Sequence, residues 1–314
     1  MQTSEVIPPL RIVFMGTPDF AVASLTALLD TAHRVVAVVT APDKPAGRGQ
    51  LLQQSAVKKY ALERQLPVLQ PEKLRDPDFL NALRSFGADL QVVVAFRMLP
   101  EVVWNMPPRG TVNLHASLLP QYRGAAPINH AVMQGETESG VTTFLLQHEI
   151  DTGNILFAEK VAIGADDTAG ILHDKLMTVG ASLLVDTVDA IASGSTKPIS
   201  QDSLHDQPLK HAPKIFKDDC RINWQKPVAE VYNLIRGLSP YPAAFTTLGG
   251  KTLKLFKTRK VETTPSSAPG LYETDGKSFL KFACTDGYID VLELQIEGKK
   301  RMSVGEFLRG FRID

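Results

Sequence analysis

Cysteine is almost missing from this sequence: Cys220 and Cys284 are the only two in 314 residues. Two thiols exclude a disulfide framework, and neither has a partner at metal-ligand spacing, so both read as buried side chains and no metal is expected. Long apolar runs are missing as well. Nothing approaches the ~18 residues of a membrane span, and the opening "MQTSEVIPPL" has neither the basic start nor the apolar core of a secretory leader. A cytoplasmic protein with no membrane contact is expected. The phosphate motifs also fail. "FMGTPDFA" carries one glycine where a dinucleotide fingerprint needs three, and it lacks the lysine of a phosphate loop. Thr17 and Pro18 read there as the cap and first turn of a helix. No G-x-S-x-G elbow occurs, and there is no internal repeat.

What is present is a chain with 44% hydrophobic residues, enough to fill real cores. Its first two hundred residues alternate short β-branched runs with helical spacing. "LRIVFM" (10–15), "RVVAVVT" (34–40), "LQVVVAF" (90–96) and "TVNLH" (111–115) are nearly continuous apolar runs, as expected of parallel strands covered on both faces. Residues 20–29, 55–64 and 77–86 have helical spacing between them. Leu172, Leu176, Val179 and Leu183 then repeat at i, i+4, i+7 and i+11, so a longer helix closes an α/β domain over residues 1–193. Residues 194–213, "GSTKPISQDSLHDQPLKHAP", are polar, carry three prolines and read as a linker. Over 214–314, one helix (228–238) and several short strands broken by turns predict a small antiparallel barrel.

The chemistry gathers at "VNLHASLLPQYRGAAP". Asn113 and His115 stand two apart at the carboxyl end of a strand, hence on one face, where open α/β sheets bind their ligands. A carboxamide donor beside a histidine that exchanges protons suits a carbonyl oxygen gaining charge while an attacking group loses a proton. That is acyl transfer or something close to it. Asp151, in the turn "DTG" between two strand-like runs, is the candidate carboxylate. No nucleophile is evident on the protein, so the attacking group belongs to a substrate.

"FMGTPDFA", "PDKPAGRG", "VNLHASLLPQYRGAAP", "GVTTFLLQHEIDTGNIL", "RINW" and "RGLSPYPAAFT" together resemble, in order and spacing along nearly the whole chain, the 10-formyltetrahydrofolate-dependent formyltransferases, and within them the methionyl-tRNA branch. The resemblance implies a Rossmann-like formyltransferase domain followed by an OB-like barrel. It implies formyl transfer from 10-formyltetrahydrofolate to the amino group of initiator methionyl-tRNA, for translation initiation, by a monomer. Residues matching Asn113, His115 and Asp151 are the family's catalytic trio. Those matching Ser117, Leu118, Leu119 and Pro120 line its folate pocket, and the loop carrying Arg48 approaches the tRNA acceptor end. Where the family usually shows Ala-Tyr-Gly, this chain has Ala95-Phe96-Arg97, which is closer to the amino-sugar branch and places an arginine near that pocket. Two other functions stand beside the first: a formyltransferase acting on an amino-sugar nucleotide, and an RNA-binding protein with a relic folate domain.

Charge is absent only in sum, 34 basic against 34 acidic residues. From Pro208 onward there are eighteen Lys and Arg against twelve Asp and Glu, which suits a polyanionic partner. Strict strand alternation places Lys251 and Lys257 on one face and Lys254 on the other. Lys299, Lys300 and Arg301, in a turn between strand and helix, are therefore the preferred tRNA contact. The loop over residues 41–54, with two prolines, two glycines and no apolar anchor before Leu51, is expected to be mobile.

Overall fold

The structure, a computed structural model, describes residues 8–46, 51–204 and 208–310. Strand and helix alternate as the apolar runs require: β1 (Arg11–Gly16), α1 (Asp19–Leu29), β2 (Arg34–Val39), the short pair β3 (Lys44–Ala46) and β4 (Leu51–Gln53), α2 (Ala56–Glu63), β5 (Val68–Leu69), α3 (Pro77–Ser85), β6 (Leu90–Val94), α4 (Glu101–Trp104) and β7 (Thr111–His115). Then come β8 (Arg123–Gly124), α5 (Pro127–Met133), β9 (Glu138–Leu145), β10 (Ile155–Ala162) and the long α6 (Ala169–Ser193). Capping explains two of the helix starts. The Ser55 hydroxyl accepts from the Lys58 amide at 3.0 Å, and Asp76 caps α3 just before Pro77. At α1 the cap is Pro18, one residue later than the sequence suggests.

Seven strands form one sheet in the order β10-β9-β7-β6-β1-β2-β5. The run from β7 to β5 is parallel, and β9 joins β7 antiparallel. The chain steps from β1 to β2 on one side and to β6 on the other, which makes a switch point between β1 and β6. One face of the sheet buries Val13, Met15, Val39 and Val93 against Phe79, Leu83 and Val103 of α3 and α4. Each such side chain contributes about 1.5–3 kcal/mol of burial, which is why these strands carry almost no polar residues. α6 is long and apolar enough to cross a membrane by length and composition. Its Leu172, Leu176, Leu184, Val188 and Ile191 are buried in the fold, which accounts for that apolarity.

The chain divides into two compact units, Met1–Arg123 with Gly140–Val161 and Asp174–Lys210, and Gly124–Ser139 with Ala162–His173 and His211–Asp314. The second contains β11 (His211–Ala212), α7 (Val228–Gly237), β12 (Ala244–Leu248), β13 (Lys251–Val261), β14 (Tyr272–Thr274), β15 (Leu280–Ala283), β16 (Tyr288–Ile296), β17 (Met302–Ser303) and α8 (Val304–Gly310). Its sheet, β12-β13-β16-β15-β14 with β17 on β16, is antiparallel at every pairing. It packs over a core that includes Trp224, Leu255, Phe282, Ile289 and Phe307, with Trp224 stacked on Phe282 at 4.7 Å. α5 packs on α7 in this unit. Asn129 Nδ2 donates to the Gly237 carbonyl at 2.8 Å, and a side chain at Gly237 would come within 2.8 Å of the Met133 backbone nitrogen. Glycine at 237 is what lets the two helices approach.

Candidate active site

β7 lies inside the sheet, between β6 and β9, with Asn113 opposite Val93 and Phe144 and His115 opposite Thr142. Its alternation sends Asn113 and His115 to one face while Val112 and Leu114 are buried on the other. Asn113 is half-buried, and His115 is 7% exposed. His115 Nε2 lies 3.0 Å from the Tyr122 carbonyl oxygen. A carbonyl can only accept, so Nε2 carries the proton and Nδ1 is the nitrogen left for chemistry. Tyr122 holds that carbonyl in place from a left-handed backbone, φ 59°, with its own amide donating to the Lys210 carbonyl at 2.6 Å.

Asp151 is 9% exposed, on the loop between β9 and β10, with φ 55°. Such a conformation costs a non-glycine residue about 1–2 kcal/mol, so neighbouring contacts must hold it. The glycine of "DTG" is required by space: a side chain on Gly153 would overlap the Leu145 carbonyl oxygen. The Thr152 hydroxyl donates to the Glu149 carbonyl at 3.1 Å. Gln201, 1% exposed, donates through Nε2 to the carbonyls of Asp151 at 2.9 Å and Gly153 at 2.8 Å. Arg123 in turn donates to Gln201 Oε1 from Nε at 3.0 Å and Nη2 at 2.6 Å. Gln201 escaped the sequence reading, since a glutamine in a polar, proline-rich stretch carries no periodic or motif signal, and Arg123 stood there within a quoted motif but without a role.

In the segment Ser117–Pro120, Ser117, Leu119 and Pro120 are buried and Leu118 is half-exposed. The Ser117 hydroxyl is spent on the Gln121 carbonyl at 2.7 Å. Thr142 Oγ1 donates to the Ser117 carbonyl at 2.7 Å and accepts from the Leu119 amide at 3.1 Å. Leu119 packs with Phe144 and Ile155 and with the partly buried Leu146. Arg97 is exposed, with its guanidinium donating to the backbone carbonyls of Glu72 at 2.8 Å and of Pro71. Partial burial pulls its pKa below the ordinary arginine value.

A cavity of about 710 Å³ opens at the amino ends of α1 and α2, lined among others by Thr17, Asp19, Lys44, Ser55, Lys59 and Tyr60. The Tyr60 hydroxyl is buried with no hydrogen-bond partner among the described residues. The segment expected to be a bare loop has paired arms, β3 against β4, and Asp43 before it is held by Lys58 at 2.6 Å and Gln70 at 2.8 Å. Those bonds, Lys58 first, lower the Asp43 pKa. Arg48 lies outside the described residues.

In the second unit the lysine faces differ from strict alternation. The β13 register shifts between Leu255 and Lys257 and again between Lys257 and Thr258. One extra residue reverses side-chain parity, so Leu253, Leu255, Phe256 and Thr258 are buried while Lys257 is exposed and Lys254 half-exposed on the outward side. Lys254 and Lys257 thus share a face, the reverse of the sequence expectation. Lys299 and Lys300 are exposed in the turn before β17. Arg301 lies 4.5 Å over the Phe256 ring and donates from Nε to Glu293 at 2.8 Å, so its charge is already partnered. Both cysteines are buried, and burial pushes the Cys284 thiol up to about 12. Among the described residues no group of three or more His, Cys, Asp or Glu is placed to hold a metal.

The "Formyl transferase" family model matches residues 10–188, and the "Formyl transferase, C-terminal domain" model matches residues 214–312. A methionyl-tRNA formyltransferase of Bacteroides fragilis is 56% identical over 310 residues, covering 97% of this chain and 96% of that protein. One of Porphyromonas gingivalis is 51% identical over 312 residues, with coverages of 97% and 96%. Among solved structures, HypX from Aquifex aeolicus with tetrahydrofolic acid matches at TM-score 0.66 and 18% identity, over 98% of this chain and 49% of that one. An N-formyltransferase from Helicobacter canadensis with folinic acid and dTDP-3-aminofucose matches at TM-score 0.65 and 20% identity, over 90% and 98%. The distant structures agree in fold, and the close relatives agree in sequence from end to end: this chain belongs to the formyl transferase family.

Proposed function

We propose that this chain transfers the formyl group of 10-formyltetrahydrofolate to the free amino group of initiator methionyl-tRNA. The carrying observation is the pairing of Asn113 and His115 at the carboxyl end of β7, in a chain that aligns with methionyl-tRNA formyltransferases over 97% of its length. The formyl donor is a substrate that supplies an activated acyl carbon. Such a carbon needs hydrogen-bond donors for its oxygen and a route for a proton, and no protein nucleophile. The carboxamide, imidazole and carboxylate fit that need, and both thiols are buried elsewhere. Leu118 and the apolar cluster around Leu119, Phe144 and Ile155 would hold the donor.

The neutral methionyl amine forms the new C–N bond while the formyl oxygen gains charge. Asn113 donates an N–H to that oxygen. His115 acts through Nδ1, because Nε2 is taken by Tyr122. Nδ1 donates to the oxygen only while the ring is protonated. The Asp151 carboxylate favours the protonated form of the ring by its charge and helps take up the proton from the amine. The C–N bond to the donor then breaks, its nitrogen takes a proton, and tetrahydrofolate leaves. Arg48, the cavity lysines Lys44 and Lys59, and the outward lysines Lys254, Lys257, Lys299 and Lys300 with Arg301 contact the tRNA. The enzyme works as a monomer in the cytoplasm.

The test supplies 10-formyltetrahydrofolate with charged initiator tRNA, uncharged tRNA or an amino-sugar nucleotide in separate reactions. Formylation confined to the charged tRNA is the expected result. Formylation of the sugar instead would remove this reading, and formylation of none would favour a binding protein.

A further inference from the structure

Gln201 belongs to the stretch between the two matched family models, at the start of a short 3-10 turn, Gln201–Leu204. The chain is pinned two residues earlier, where Ile155 and Ile199 exchange both backbone hydrogen bonds at 2.8 Å. A carboxamide has two donor hydrogens and room for two bonds on its oxygen, and here all four are used. Arg123 supplies the two donors to Oε1, and the carbonyls of Asp151 and Gly153 take the two from Nε2. The guanidinium can only donate and the carbonyls can only accept, so the amide has one possible orientation. A side chain 1% exposed cannot exchange these partners for water.

The partners are informative. Arg123 follows Tyr122, whose carbonyl fixes His115 Nε2, and Asp151 is held by Gln201 in a left-handed conformation that it does not favour. One amide therefore joins the loop that orients the histidine to the loop that presents the carboxylate. A second strut lies nine residues on. The Lys210 carbonyl accepts from the Tyr122 amide at 2.6 Å, and the Lys210 amide donates to Gln121 Oε1 at 2.8 Å.

We infer that Gln201 is a positioning residue for formyl transfer, joining the Asp151 turn to the Tyr122–Arg123 loop so that carboxylate and imidazole keep a reactive separation. The inference rests on the reading of His115 and Asp151 as reacting groups. It adds that the stretch joining the two matched regions takes part in assembling the site.

Two substitutions separate the halves of the clamp. Gln201→Met removes all four bonds at similar volume. Gln201→Glu keeps an acceptor for both bonds from Arg123 but loses both donors to the Asp151 turn. Displacing a reacting group by an ångström slows chemistry by up to roughly 100-fold. Both variants should therefore lower single-turnover kcat by about 10- to 100-fold, with KM for the formyl donor unchanged. In an Asp151→Asn background, adding Gln201→Glu should cause no further loss, since both act through one group. If Gln201→Met lowers Tm enough to confuse the rate, Gln201→Glu and Arg123→Lys carry the test. Full kcat in Gln201→Glu, or losses that multiply in the double variant, would overturn the role of Gln201. Full kcat in Asp151→Asn would instead overturn the reading of the site itself, and the two failures are distinguishable because each appears in a single variant.

Discussion

His115 donates from Nε2 to the Tyr122 carbonyl at 3.0 Å, so one ring nitrogen is structural and the other, without a partner among the described residues, is left for chemistry. The two roles separate by substitution. His115→Ala removes both, and should lower kcat by ~10²–10⁴ while leaving a buried carbonyl without its donor, at about 1–3 kcal/mol. His115→Gln can return an N–H to Tyr122 and should recover most of the Tm while staying as slow. Single-turnover rates beside thermal melts check this, and a fast His115→Gln would place the chemistry on Nε2.

Asn113 is half-exposed at a strand end, and no described neighbour depends on its side chain for a hydrogen bond. Asn113→Ala should cost ~10²–10³ in kcat with little change in Tm or in donor binding. A rise confined to donor KM, with kcat unchanged, would instead make Asn113 a binding residue.

Gly153→Ala pushes a methyl group into the Leu145 carbonyl and must displace the turn that carries Asp151. Melting should fall together with activity. Asp151→Asn, which keeps the shape of the side chain and removes its charge, should lose activity with a smaller fall in Tm than Gly153→Ala. Equal melts for the two variants would mean that the turn yields more easily than its geometry indicates.

Lys299 and Lys300 are exposed, whereas Arg301 is bound to Glu293. Replacing the two lysines with Ala should flatten the salt dependence of tRNA affinity by roughly 0.7–0.9 per lost phosphate contact in the log–log slope. Arg301→Ala should change the slope less than either lysine. Binding titrations across a salt series decide the matter, and an unchanged slope in the lysine variant removes that turn from the tRNA footprint.

Lys281 at 2.8 Å, with the hydroxyls of Ser267 and Tyr288, lowers the Glu273 pKa from its ordinary 4.5 to about 2. A depressed acid adds stability above its unfolded value and loses it as pH falls from about 4.5 toward 2. Glu273→Gln should melt earlier than the native chain at neutral pH, and the gap should close with acidification. Parallel melting curves of the full chain check the sign, and a gap that widens in acid would contradict it.

The parallel strands were legible because strands buried on both faces need unbroken apolar runs, and the α/β helices were legible because a half-buried helix repeats every three or four residues. Asn113, His115 and Asp151 stood out for a different reason: polar groups at the end of an apolar strand, or in a tight turn, follow no packing pattern. The β13 faces could not be read in this way, because a bulge leaves no mark in the residue pattern yet reverses every later side chain.

The sequence by itself determined the long parallel strands, the helices between them and the residue types available at the end of β7, since local periodicity and chemistry suffice for these, while the short β3–β4 pair within the expected loop was not legible. Only the tertiary structure decided which nitrogen of His115 is bonded to Tyr122, that Gln201 ties Arg123 to Asp151 from 50 residues away in the chain, and that Arg301 is paired with Glu293. Those are hydrogen bonds that bridge loops, spanning from 7 to 78 positions in the chain, and their partners are mostly backbone carbonyls. Every residue has one, so the identity of the residue carries no information about which carbonyl will be met.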